Sequence, residues 1–275
     1  MTDQYAVFGN PVKHSKSPPI HAAFAEQTGQ ELHYRAHKVE IGRFAEAAKQ
    51  FFEHGGKGLN ITVPFKLDAF EFADDLSDRA RRAGAVNTLA LEENGRIYGD
   101  NTDGIGMVRD IQQNLGWELH NQRILVLGAG GAVRGILGPL LKQRPKHILI
   151  ANRTVEKASR LAEQFADLGE VNGCSFSDLA GGQFDLIING TSTSMSGELP
   201  PLPSFILSNE GCAYDMMYSD QPTPFMSWAA SETAWAVSDG LGMLVEQAAE
   251  SFCIWRGVRP DTKPVMEMLR QTLSG

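Results

Sequence analysis

The chain has 275 residues, 42% of them hydrophobic and 21% charged, a globular balance that fits one large or two modest domains. A net charge of −8 argues against a nucleic-acid binder that works by broad phosphate neutralisation, while leaving room for a local basic pocket. Three scattered cysteines, seven histidines without ligand spacing, no apolar run of bilayer length and no basic-then-apolar start predict a cytoplasmic protein without disulfides, metal, membrane span or signal peptide.

Period and punctuation predict alternating strands and helices. Residues 5–8 read as a strand stopped by Gly9, and Pro18 suits the first turn of a helix capped by Ser17. Residues 32–39 form a second strand. Phe44, Ala48, Phe51 and Phe52 recur at helical spacing up to Gly55-Gly56. Residues 58–63 are a third strand, broken by Pro64. A helical pair follows, then strands 86–91 and 96–99 joined as a hairpin by the two-residue turn Asn94-Gly95.

A second unit begins with a helix over 104–116 and a buried strand over 123–127. Helices over 132–142 and 154–165 alternate with strands over 147–151, 184–189, 213–217 and 234–237. This alternation predicts an α/β protein whose second domain is doubly wound and parallel. Helical patterns over 241–255 and 263–273 lie beyond the last strand and are expected to return to the first domain. The expected division is 1–103 with 240–275, and 104–239, the two domains flanking a cleft.

The strand over 123–127 enters Gly128-Ala129-Gly130-Gly131-Ala132, a helix follows, and a second strand comes about twenty residues on, as a dinucleotide fingerprint requires. Bare glycine backbone lets a pyrophosphate approach the N–H groups and dipole at the helix start. Val133 stands where the third glycine belongs, with Gly131 and Gly135 nearby, which leaves the helix–strand packing open. After the second strand an NAD enzyme usually places a carboxylate for the ribose hydroxyl. Here Asn152-Arg153-Thr154 stands instead, with Lys157 one turn later. A guanidinium pairs with a 2′-phosphate, so NADP is favoured over NAD. The plainer reading of Arg153 is an exposed residue near a helix start.

Four further segments are unusual: 9–18 (Gly-Asn-Pro-Val-Lys-His-Ser-Lys-Ser-Pro), 58–66 (Gly-Leu-Asn-Ile-Thr-Val-Pro-Phe-Lys), 84–88 (Gly-Ala-Val-Asn-Thr) and 99–104 (Gly-Asp-Asn-Thr-Asp-Gly). With 214–218 (Tyr-Asp-Met-Met-Tyr) and 239–248, they occur in the order seen in the shikimate dehydrogenase family, which the chain resembles from Tyr5 to its last helix. The resemblance implies reversible reduction of 3-dehydroshikimate to shikimate by NADPH, in aromatic amino-acid and chorismate biosynthesis. It implies Lys66 as the acid–base residue and Asp103 as its partner and a substrate ligand. Ser15 and Ser17 would hold the substrate carboxylate, and Thr62, Asn87, Tyr218 and Gln247 would complete the substrate contacts. Thr191 and Ser192 would line the nicotinamide side, and Met216, Gly240 and Met243 would join the cofactor site. The family more often has Ala where Gly190 stands.

Chemistry supports the same residues. Hydride addition to a ketone builds negative charge on its oxygen, which a proton donor within hydrogen-bond reach must neutralise. Acid, base and electrostatic anchor all stay open for Lys66. Plainer roles compete at each position. Lys66 could be a solvated residue at a helix start, Asp103 and Ser17 helix caps, Asn87 a turn residue and Tyr218 a packed aromatic; His14 reads as loop structure. At the level of the whole protein the alternatives are a quinate/shikimate dehydrogenase and a non-catalytic NADP(H)-binding protein. A folate-linked dehydrogenase fits neither the Ser15/Ser17 loop nor Asn-Thr-Asp-Gly. The expected partner is the small-molecule substrate, with no nucleic acid or membrane, and the assembly a monomer or homodimer.

Overall fold

The computed structural model describes residues 2–191, 193 and 197–274, and the chain divides in it into two units. One contains the residues up to Gly106 and Val245–Leu269; the other contains Met107–Leu244 and the residues from Arg270. The boundary therefore falls a few residues after the expected 103/104. The chain's last helical turn also goes with the second unit, where Arg270 makes two hydrogen bonds to the carboxylate of Asp239 (2.7 and 2.8 Å).

The first unit is built from β1 (Asp3–Gly9), α1 (Ser17–Thr28), β2 (Leu32–Lys38), α2 (Phe44–Glu53), β3 (Gly56–Ile61), α3 (Lys66–Phe72), β4 (Asp75–Leu76), α4 (Asp78–Ala83), β5 (Thr88–Leu91), β6 (Ile97–Asp100) and the start of α5 (Asp103–Arg109). Its sheet runs β2-β1-β3-β5-β6-β4. β1 is parallel to β2 and β3, and β5 is antiparallel to β3 and β6. Tyr5 to Phe8 are buried, on a strand flanked by β2 and β3, and Phe8, Phe44, Leu59, Ile61, Phe65, Val86 and Leu89 belong to one core cluster. The loops leaving β1 and β3 are tied at the strands' carboxyl ends: Asn10 N donates to Val63 O (3.0 Å) and Thr62 N to Phe8 O (2.9 Å). Ligands of open α/β sheets bind at such ends.

Two local expectations change here. The β5–β6 hairpin closes with Glu92 N on Arg96 O, so its loop has three residues and not two; Gly95 takes φ +82° while its N–H reaches Glu92 O. Ser17 is not the cap of α1 but its first residue. Lys16 occupies the cap position without a side-chain bond, and Ser15 Oγ accepts from Ser17 N (3.2 Å).

The second unit contains the end of α5, a π-helical turn at Asp110–Asn114, β7 (Arg123–Leu127), α6 (Gly131–Leu141), β8 (His147–Ala151), α7 (Val155–Phe165), β9 (Val171–Cys174), β10 (Phe184–Asn189), β11 (Leu207–Asp215), α8 (Pro224–Ser231) and β12 (Ala236–Ser238). The chain continues through α9 (Leu241–Arg256), most of which belongs to the first unit, and α10 (Lys263–Ser274). All six strands of this unit are parallel, in the order β12-β11-β10-β7-β8-β9. Counted from β7 this is the 3-2-1-4-5-6 order of a doubly wound dinucleotide fold. Ile124 and Val126 pack into one core and Leu125 and Leu127 into another, and burial on both faces explains why these strands read as continuous apolar runs. The helix expected over 104–116 is interrupted: Leu115 N bonds Asp110 O, five residues back, and the buried Asp110 carboxylate accepts from Tyr214 OH (2.6 Å) and Asn114 Nδ2 (3.0 Å). Strand β9 escapes sequence reading because Val-Asn-Gly-Cys has neither alternation nor a β-branched run.

Candidate active site

Lys66 opens α3 and Asp103 opens α5. The lysine Nζ donates to Asp103 Oδ2 at 2.5 Å, with the lysine side chain 26% exposed and the carboxylate side chain 10% exposed. Asp103 does not spend its carboxylate on capping in this arrangement; Asn101 Oδ1 accepts from Asp103 N (3.2 Å) at the helix start. The other carboxylate oxygen, Oδ1, accepts from Asn87 Nδ2 (2.8 Å). Asn87 Nδ2 also reaches Gln247 Oε1 on α9 (3.2 Å), so four of the expected substrate residues form one connected cluster. An ammonium seated on a carboxylate and still partly open to solvent can give a proton to an oxygen placed beside it and take it back.

Ser15, Ser17 and Thr62 lie on the two tied loops. Ser17 is buried, and its side chain meets the hydroxyl of Tyr34, which donates to Asn60 Oδ1 (2.7 Å). Burial raises the Tyr34 hydroxyl well above its ordinary pKa, so it stays a donor. Asn60 Nδ2 in turn lies 3.3 Å from Asn87 O, linking the serine loop to the Lys66 cluster through the interior. Tyr34, Asn60, Thr88, Thr102 and Ser251 are the polar residues that sequence reading passed over. Three of them sit inside the segments already singled out, and Ser251 lies four residues after Gln247, on the same face of α9.

In the second unit, Gly128 at φ +99° turns the chain from β7 toward α6. A side chain on Gly130 or Gly131 would project into open space, and Gly130, Gly131 and Ala132 are exposed. Bare backbone at the first turn of an eleven-residue helix fits a dinucleotide pyrophosphate. Val133 is fully buried, and its Cγ2 lies 2.4 Å from where a Cβ on Gly190 would stand; the two departures from the common pattern are one packing arrangement. After β8, Asn152 Nδ2 holds Thr154 O (2.9 Å), and Thr154 caps α7 without using its hydroxyl. Arg153 and Lys157 are exposed, and neither pairs with a carboxylate among the described residues. Two uncompensated cations at a helix start are a place for an anion.

Thr191 donates its N–H and hydroxyl to Asn189 Oδ1 (3.1 and 2.7 Å), and Asn189 Nδ2 donates to the buried Asp215 (3.2 Å). A Cβ on Gly240 would lie 2.2 Å from Met216 O, so Met216 and Gly240 are in backbone contact. Met243 is buried in the core cluster against which Met216 packs. Tyr218 is half-buried in this unit, and burial and the charge of Asp239 raise its hydroxyl pKa. Ser192 lies outside the described residues. No helix among the described residues is long and apolar enough to cross a membrane.

A doubly wound sheet with a bare glycine turn and an open cation pair, joined to a second α/β unit carrying a lysine–carboxylate pair, defines a nucleotide-dependent oxidoreductase. Family models match residues 7–89 (shikimate dehydrogenase substrate binding domain), 110–196 (shikimate / quinate 5-dehydrogenase) and 240–270 (shikimate 5′-dehydrogenase C-terminal domain). A relative from Cellvibrio japonicus, named shikimate dehydrogenase (NADP(+)), is 56% identical across 99% of both chains. One of the same name from Chromohalobacter salexigens is 58% identical over 98% of this chain and 99% of its own. Among solved structures, an Ael1 enzyme from Pseudomonas putida superposes with a TM-score of 0.92 at 47% identity, covering 98% of each chain. The shikimate 5-dehydrogenase of Thermus thermophilus, solved with NADP(H) and shikimate, gives 0.87 at 33% identity, covering 99% of this chain and all of its own. The chain belongs to the shikimate dehydrogenase family.

Proposed function

We propose that this protein reversibly reduces 3-dehydroshikimate to shikimate with NADPH, a step of aromatic amino-acid and chorismate biosynthesis. The Lys66–Asp103 ion pair, steadied by Asn87, is the observation that carries the reading. Bound NADPH supplies the hydride for the carbonyl carbon. Lys66 gives its ammonium proton to the oxygen as negative charge develops there, and in the oxidative direction its neutral amine takes the hydroxyl proton back. Asp103 holds the ammonium in place and accepts from a neighbouring substrate hydroxyl. Ser15 and Ser17 donate to the ring carboxylate, and Thr62, Asn87, Gln247 and Tyr218 serve the remaining polar groups.

Apart from Tyr218, the residues assigned to the substrate belong to the first unit, and those assigned to the cofactor belong to the second. Gly128 makes the turn, its own N–H held by Ala151 O, and backbone N–H groups from Ala129 to Ala132 receive the pyrophosphate; Asn152, Arg153, Thr154 and Lys157 receive the adenosine 2′-phosphate. Thr191, Ser192, Met216, Gly240 and Met243 serve the nicotinamide end. Initial rates with shikimate and quinate, each against NADP+ and NAD+, test substrate, reaction and cofactor together. Shikimate with NADP+ is the expected fastest pair. A quinate preference would transfer the assignment to a quinate/shikimate enzyme, and no shikimate-dependent reduction at all would leave a non-catalytic NADP(H) binder.

A further inference from the structure

Behind Lys66 and Asp103 lies a pair of hydroxyls that the reaction itself does not use. Thr88 opens β5 directly after Asn87, and Ser251 sits on α9 one turn after Gln247; both are fully buried. Their oxygens are 2.7 Å apart. The Thr88 hydroxyl donates to Asn87 Oδ1 (2.9 Å). Asn60 Nδ2 donates to both, to Ser251 Oγ at 3.0 Å and to Thr88 Oγ1 at 3.3 Å.

The protons available decide which way the Asn87 carboxamide faces. The backbone N–H of Thr102 can only donate, and it points at Asn87 Oδ1 (2.9 Å). With its oxygen there, the carboxamide must turn its amino group toward Asp103 Oδ1. The Thr88 proton enforces the same choice. Once that proton is committed, Thr88 Oγ1 is left as an acceptor, and Ser251 and Asn60 are the donors that fill it. A flipped carboxamide would set oxygen against the Asp103 carboxylate and an N–H against the Thr102 N–H.

We propose that Thr88 and Ser251 are positioning residues, a buried hydroxyl pair that keys the Asn87 carboxamide so that it donates to one oxygen of Asp103 and leaves the other to Lys66. The proposal rests on the reading of Lys66 and Asp103 as the acid–base pair. Ser251 Oγ also lies 3.3 Å from Thr102 Oγ1 and 3.1 Å from Gln247 O, so the pair ties α9 to the same cluster.

Two substitutions at Thr88 separate positioning from packing. Thr88→Val keeps the volume and removes the hydroxyl; Thr88→Ser keeps the hydroxyl and removes a methyl. The valine variant should lose about 10- to 100-fold in kcat for shikimate oxidation with KM for NADP+ unchanged, as a small misplacement of a reacting group does. The serine variant should hold kcat within about threefold although its thermal midpoint falls. A serine variant as impaired as the valine variant, or a valine variant within about twofold of the parent kcat, would overturn the proposal. If Thr88→Val does not fold, Ser251→Ala is read in the same assay. A fall in kcat at constant KM for NADP+ supports the pair, and kcat within about twofold of the parent overturns it. An unsubstituted protein that does not oxidise shikimate would remove the functional reading and this proposal together, whereas an active parent with indifferent variants removes the hydroxyl pair alone.

Discussion

At the scale of single residues, Lys66 illustrates how a flexible cation is made directional. A lysine ammonium on a four-carbon stem loses rotamer freedom when it is held, and Asp103 at 2.5 Å supplies the hold. Lys66→Ala should lower kcat by about 10²- to 10⁴-fold, the range of positioned proton transfer, while shikimate affinity by equilibrium titration changes little. Turnover near that of the parent would rule Lys66 out as the proton donor. The proposed role of Arg153 is in binding and not in chemistry. Arg153→Ala removes a charge-assisted bond worth about 1.5–3 kcal/mol, so KM for NADP+ should rise about 10- to 100-fold with kcat at saturation retained. An unchanged ratio of NADP+ to NAD+ efficiency would place the 2′-phosphate elsewhere. Both positions stand out in the sequence as candidates, because each lies in a short segment whose local pattern marks a loop after a strand. The pairing of Lys66 with Asp103, 37 positions on, came from the family resemblance alone, because no local pattern in either segment records it.

At the scale of elements, the strand–glycine–helix turn of the second unit shows two sequence departures acting as one. Val133, where the dinucleotide fingerprint has glycine, and Gly190, where the family resemblance implies alanine, are far apart along the chain, yet a valine methyl reaches the place that a Cβ on Gly190 would take. Gly190→Ala alone should overpack this junction and cost about 1–3 kcal/mol, read as a lower thermal midpoint and weaker NADP+ binding. Val133→Ala in the same chain should restore most of the loss. Additive losses in the double variant would mean that the two positions do not share this space. Element boundaries were largely readable from apolar runs and turn residues. The breaks came where side chains reach across elements: Asp110 is drawn to Tyr214 at the π-helical turn, and Ser15 serves the start of α1 in place of Ser17.

At the scale of the whole molecule, acid sensitivity follows from His21. Its ring is fully buried, stacks on Tyr34 at 4.2 Å and meets Asn60 Oδ1 through Nε2 (3.1 Å), while Nδ1 has no partner among the described residues. Burial holds its pKa down to about 3. The unfolded chain protonates this histidine below about pH 6.5, whereas the folded chain does not until about 3. Its contribution to stability is therefore complete above that upper value and is lost as the pH falls toward the lower one, at about 1.4 kcal/mol per pH unit. Asp185 adds loss at lower pH. The Arg123 guanidinium lowers its carboxyl pKa to about 2, so stability present above the ordinary carboxylate range disappears as pH falls through that value. Denaturant unfolding between pH 7 and 4.5 should show a steeper decline for the parent than for His21→Asn; equal slopes would contradict the buried neutral histidine.

The alternation of strands and helices, the glycine turn, the cationic end of the second strand and the short segments proposed to carry the chemistry are all legible along the chain. These are local features, written in the backbone preferences and spacing of a few adjacent residues. Which of those segments meet depends on how the elements pack. That packing joins Lys66 to Asp103 and Asn87 to Gln247, and it brings Asn60 to Ser251 across 191 positions. Hydrogen bonds of that kind depend on how whole elements pack, and nothing in the residues between them records the pairing.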